Sequence, residues 1–246
     1  MSAVQWSLVL AVVAALATIV GGLVVALPSG LKDKQLSHLI AFGAGFMLAA
    51  AFLKMVPGSM NLIGRAPLWI LVGYILAHLF EHTFTPHFHF GEETHTEHML
   101  NPGVSTSAFV GLVLHALFDG VSISSGFMIS TSLGFFISLA VVLHKIPEGV
   151  TMASVMVASG RGTKSALNST VALAGATVLG SLVMLLLQPY RGYALALSAG
   201  IATYVAATDL IPELNKLKEM RFSLSALVGV IFFFFVEWLL GRVGVG

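Results

Sequence analysis

The sequence predicts an all-α integral membrane protein with eight transmembrane helices, and three observations carry that prediction. Of 246 residues, 57% are hydrophobic and 9% charged, where an average soluble domain has about 25% charged. Mean hydropathy is +0.94. A helix crosses a bilayer in about 20 apolar residues, and eight apolar runs of that size lie near residues 4–27, 36–57, 66–85, 104–128, 132–158, 165–188, 192–213 and 222–241. Little is left over for a soluble domain, so residues 1–246 read as a single transmembrane domain with a His/Glu-rich loop at 86–103. The chain has no cysteine, which rules out thiolate sites and disulfides. Its net charge of +1 selects no partner, and nothing in it points to nucleic acid.

Span one has no basic residue before it and is too long for the apolar core of a signal peptide, so it is kept as a span. It carries no chemistry and ends in the turn signal Pro28-Ser29-Gly30. Span two, Ala44-Gly45 through Lys54 to Pro57, has small residues suited to close packing, and Lys54 can snorkel to the interface near its end. Span seven repeats it at an offset of 155 residues: Ala199-Gly200, Ala206 and Pro212 align with Ala44-Gly45, Ala51 and Pro57, and Asp209 with Lys54. Similarity between spans of opposite direction is the mark of an inverted repeat, here spans 1–3 and 6–8 around spans 4–5. Span six carries no charge, and span eight has Glu237 and Arg242 as interfacial anchors.

Span three ends in His78, Glu81 and His82, three donors on one helical face. They suit either a cytoplasmic metal exit or the H-x-x-E-H pattern of a zinc protease, with the glutamate as general base. Interfacial capping of a helix end is the bland alternative. The loop that follows holds His87, His89, Glu92, Glu93, His95, Glu97 and His98, and no Lys or Arg occurs between Arg65 and Lys145. Such a stretch attracts cations. Asp209 and Glu213 at the end of span seven belong either to the exit path or to a solvated helix end.

Alternation of the spans puts Lys32, Lys34, Arg161, Lys164, Lys216, Lys218 and Arg221 on one side, against Arg65, Arg191 and Arg242 on the other. Seven against three makes the first side cytoplasmic. Both termini then face outside, and the histidine-rich loop lies in the cytoplasm.

Spans four and five carry the chemistry. They read His115-Ala-Leu-Phe-Asp119-Gly120 and His144-Lys145-Ile-Pro147-Glu148-Gly149. Positions i and i+4 share a helix face, so each span offers an imidazole and a carboxylate together. Two such pairs at one depth on antiparallel helices make four ligands of the kind zinc and other borderline divalent metals take. Unpaired at mid-membrane, Asp119, Lys145 and Glu148 would cost about 8 to 10 kcal/mol. A salt-bridge network would explain the charges but leave two histidines in phase with the carboxylates unexplained. Pro147 also frees backbone carbonyls that could line a hydrated cavity.

On these motifs the chain resembles the ZIP (Zrt/Irt-like) family of divalent metal-ion transporters: eight spans, both ends outside, a histidine-rich loop between spans three and four, paired H-x-x-x-[DE]-G motifs, and the ending Asp209-Leu-Ile-Pro-Glu213. The resemblance implies movement of zinc, or in some members iron, manganese or cadmium, into the cytoplasm as substrate, with no catalytic cofactor. It implies a primary site at His115, Asp119, His144 and Glu148. Many members hold a second metal beside the first, and the positions that would bind it are here Ala116, Lys145 and a span six without acid. Lys145 would supply the second ion's charge, leaving a mononuclear site. The expected partners are divalent ions, the bilayer and a second copy in a homodimer, and the expected location is the cell (plasma) membrane. Two rivals stand beside the transporter: an intramembrane zinc metalloprotease using His78, Glu81 and His82, and a metal sensor that does not transport. The sequence has no G-x-x-x-x-G-K-[ST] motif for direct ATP drive.

Overall fold

The computed structural model describes residues 1–26, 33–84, 102–211 and 219–244, and all regular structure among them is helical. Eight helices follow in order: α1 (Ala3–Ala26), α2 (Asp33–Ala50), α3 (Ala66–Phe84), α4 (Pro102–Ile129), α5 (Thr131–Ala158), α6 (Gly162–Leu186), α7 (Arg191–Tyr204) and α8 (Met220–Arg242). Past Ala50, α2 runs on through a π-helical stretch, Ala51–Met55, and one more α-turn, Val56–Met60. The α7 helix likewise runs into a π-helical stretch, Val205–Leu210. Six of the helices are long and apolar enough to cross a membrane, while α3 offers the shorter apolar segment Ala66–Glu81.

The connections define two ends. Asn61–Arg65, Ser130 and Leu187–Tyr190 join α2 to α3, α4 to α5 and α6 to α7 at one end. There Gly58 packs against Leu133 and Leu195, and Gly192 against Ile63. Ser130 alone turns the chain between α4 and α5, and its hydroxyl caps α5 by accepting from the Leu133 amide at 3.1 Å.

The expected inverted repeat is visible in the packing. Helix α2 runs parallel to α8, since His38 meets Ser225, Phe46 meets Phe233 and Lys54 meets Glu237. Helix α3 runs parallel to α7, since Trp69 meets Tyr193 and Tyr74 meets Tyr204. Because α2 and α3 form a hairpin, the pair α2/α8 and its counterpart α7/α3 point in opposite directions. Their crossings match residue for residue. A Cβ on Gly45 would overlap the Ala226 carbonyl and one on Gly229 the Phe42 carbonyl; in the other half, Gly200 meets Ile70 and Gly73 meets Leu197 in the same way. The two π-helical stretches also fall at equivalent positions, Ala51–Met55 against Val205–Leu210.

A second matched pair encloses the centre. On α1, Thr18 and Gly21 cross α5 where a Cβ on Gly149 would overlap the Thr18 carbonyl, and one on Gly21 the Ile146 carbonyl. On α6, Thr177 and Gly180 cross α4 with Gly120 and Leu117 in those same roles. Removing the side chains lets the backbones touch, which is how helices associate tightly in lipid. The outermost helix, α8, turns Phe234, Phe235 and Trp238 outward, as a helix facing lipid must.

Candidate metal site

His115 and His144 stand at the middle of their helices, each of which is 28 residues long. A helix of that length measures about 42 Å, so the histidines lie at mid-bilayer depth. The hairpin at Ser130 makes α4 and α5 antiparallel and brings the two motifs level. One donor atom from each of His115, Asp119, His144 and Glu148 falls within 4.8 Å of all the others. This is the one group of three or more His, Asp or Glu donors that could hold a metal ion among the described residues.

The two imidazoles face each other through Nε2 at 3.4 Å. Asp119 Oδ2 lies 3.3 Å from His115 Nε2 and 3.2 Å from His144 Nε2, and Glu148 Oε2 lies 3.9 Å from His115 Nε2. His144 Nδ1 donates to the Ala140 carbonyl at 2.9 Å. That bond fixes the tautomer and leaves Nε2 with its lone pair toward the cluster, as the outer partner of a ligating histidine does.

Lys145 is fully buried, and its ammonium bridges both carboxylates, 2.7 Å from Asp119 Oδ2 and 2.5 Å from Glu148 Oε2. The cluster therefore sets one lysine amine between two carboxyl groups. Glu148 Oε1 is buried with no hydrogen-bond partner. Such an atom is costly unless a ligand occupies its lone pairs, and in a cluster of nitrogen and carboxylate donors the fitting ligand is a cation.

The cluster borders a cavity lined toward the Ser130 end by Met55, Ser122, Ile137 and Ser198. On the other side Leu112, Met152, Val155, Met156 and Tyr204 are buried in the main apolar core. The free volume beside the donors thus lies on the Ser130 side, and packed side chains lie on the other.

Pro147 lies inside α5, which continues without a break. The carbonyl of Leu143, deprived of its donor by the proline, rests against Gly43 of α2 instead of lining a hydrated cavity. Lys54 does not stand alone at the interface: it pairs with Glu237 at 2.7 Å and sits 4.9 Å over the Phe136 ring. Arg242 lies over Trp238 at 4.6 Å instead of joining Glu237.

His78 packs edge-on against Tyr204, and Glu81 is buried on α3; neither belongs to the four-donor group. The side chains of His82 and Asp209, together with His87, His89, His95, His98 and Glu213, lie outside the described residues. Sequence reasoning passed over Ser122, Ser198 and the Lys54–Glu237 pair. A polar residue in an otherwise apolar run was the available signal for each.

A family model described as "ZIP Zinc transporter" matches residues 93–241. "Zinc transporter zipt-7.1" of Caenorhabditis briggsae is 27% identical over 52% of this chain and 37% of its own length. Human "Zinc transporter ZIP6" is 29% identical over 52% of this chain and 18% of its own. "Zinc transporter YKE4" of Saccharomyces cerevisiae is 22% identical over 76% and 65%. The chain spans less than two thirds of the length of each of these relatives. The family match takes in both central motifs and covers more than half of the sequence, and the chain belongs to the ZIP zinc transporter family.

Proposed function

We propose that this chain carries a divalent cation, zinc foremost, into the cytoplasm by alternating access, one ion at a time, on His115, Asp119, His144 and Glu148. The observation that carries the proposal is the convergence of four donors within 4.8 Å at the centre of two antiparallel helices. Lys145 takes the place of a second metal: its ammonium already neutralises one carboxylate equivalent, and a second dication beside it would meet repulsion in a medium of low dielectric. Iron, manganese and cadmium are the competing cargoes, since nitrogen and carboxylate donors suit several divalent ions.

The whole chain acts as one transport unit in the plasma membrane, as a homodimer. Both termini lie outside, by the weight of basic residues at the end opposite Ser130, where Lys34, Arg161, Lys164 and Arg221 sit. The ion enters from the Ser130 end and leaves past α3 toward the 86–103 loop. That the relatives are named zinc transporters supports zinc as the cargo.

Uptake of zinc into proteoliposomes tests the proposal. Wild-type flux should vanish in Asp119→Ala and Glu148→Ala and survive Glu81→Ala. Proteolysis abolished by Glu81→Ala in a preparation without flux favours the protease site, and metal binding with neither flux nor proteolysis favours a sensor.

A further inference from the structure

The cavity beside the four donors is walled mainly by apolar groups, among them Met47, Met55, Ile137 and Val141. Two hydroxyls interrupt that wall, Ser122 on α4 and Ser198 on α7. Ser198 is 2% exposed, and its Oγ has no hydrogen-bond partner. Ser122 is buried and spends its proton on the Phe118 carbonyl at 2.7 Å, which leaves the oxygen lone pairs as acceptors. Ser122 lies seven residues before the end of α4 and Ser198 seven residues after the start of α7, so both stand about 10 Å inside the Ser130 end. Asp119 lies one turn deeper on α4, bordering the same cavity.

A buried hydroxyl in an apolar wall is unfavourable unless something visits it. A dication approaching the four donors must shed water stepwise, and neutral oxygens suit that step: they can accept from hydration waters or replace one. The inverted repeat supplies a control. The counterpart of Ser198 on α2 is Gly43, which packs on the Leu143 carbonyl, so no hydroxyl stands at the equivalent place on the closed side.

We propose that Ser198 and Ser122, together with Asp119, form an entry station where a partly hydrated divalent cation rests before it passes to the four donors. The station rests on the transporter reading and adds to it a second, weaker position on the approach side. Ser198 acts there as a direct ligand or as an acceptor from the ion's hydration shell.

Two measurements on the full chain test it. In proteoliposomes, Ser198→Ala and the double variant with Ser122→Ala should raise the KM for zinc about three- to tenfold, the worth of one or two neutral hydrogen bonds, while the maximal rate and the tight zinc binding of the four donors stay at wild-type values. Because the chain has no cysteine, Ser198→Cys adds a single thiol. A charged methanethiosulfonate reagent applied from the Ser130 side should label it, and zinc should slow the labelling even when Glu148→Ala has broken the inner site. Unchanged KM in the alanine variants, or labelling indifferent to zinc, overturns the station and leaves the hydroxyls holding ordered water only. If the wild type shows no uptake at all, the transporter reading falls, and zinc protection of the thiol still decides whether the station binds the ion.

Discussion

His115 and Asp119 on α4 and His144 on α5 all border the cavity, but the α4 pair have side-chain exposures of 14% and 11%, whereas His144 keeps 3% and Lys145 and Glu148 are sealed at 0%. Both motifs follow one pattern and cross their neighbours through the same glycine, Gly120 against Thr177 of α6 and Gly149 against Thr18 of α1. What separates them is the inner residues: Ala116 on α4 and Lys145 on α5. On the proposed transport reading, the α4 motif receives the ion and the α5 motif carries the balancing charge. On that reading a covalently attached ammonium takes the place of a second cation, and its partners Asp119 and Glu148 are two of the proposed ligands. An ion bound there would pull these carboxylates partly away from Lys145, and the proposal gives the lysine control over how tightly the cargo is held.

The largest effect should come from removing that charge. Lys145→Met leaves two buried carboxylates facing each other, and breaking a buried pair in this way costs about 3 to 5 kcal/mol. Thermal melting of metal-free protein in detergent should show the loss, and added zinc should recover more stability than it gives the wild type. A variant that melts like the wild type would mean that Lys145 does not balance the cluster. Next in size, Gly120→Ala and Gly149→Ala should each cost about 1 to 3 kcal/mol from overpacking. Near-equal melting losses would confirm that the two motifs share one frame, and a large inequality would break the comparison. The smallest effect is expected from Lys54→Met. Its pair with Glu237 is partly exposed, and such pairs contribute about 0 to 1 kcal/mol, so melting should hardly change.

Much of this arrangement can be read from the chain, for a physical reason. His115, Asp119, His144 and Glu148 announce themselves because i,i+4 spacing places donors on one face regardless of tertiary context, and charge in an apolar run at mid-span demands a partner. The Lys145–Glu148 contact is local, at i,i+3, and equally legible. The Lys145–Asp119 contact is not, since it depends on how α4 and α5 rotate about their axes. The repeat is visible at an offset of 155 only for α2 and α7. The Thr18/Gly21 crossing recurs at Thr177/Gly180, an offset of 159, and the Gly73 crossing at Gly229, an offset of 156, because connection lengths differ between the halves and blur a single register. Lys54 and Glu237 read as separate anchors because each stands near the end of its own span. Only the parallel packing of α2 on α8 brings them together. Ser198, in Leu-Ser-Ala-Gly, has no sequence signal beyond being polar, and its meaning comes from the cavity it lines.

The central claim is that one cation occupies the His and carboxylate cluster, with Lys145 in the place of another. Counting zinc bound to the purified full-length chain tests it most directly, with His87, His89, His95 and His98 replaced by alanine so that the loop does not contribute. Equilibrium dialysis should give one tightly bound equivalent, abolished by Glu148→Ala together with Asp119→Ala. Two equivalents of equal affinity that persist in Ser122→Ala/Ser198→Ala and are lost together in the Glu148→Ala/Asp119→Ala variant would contradict the claim.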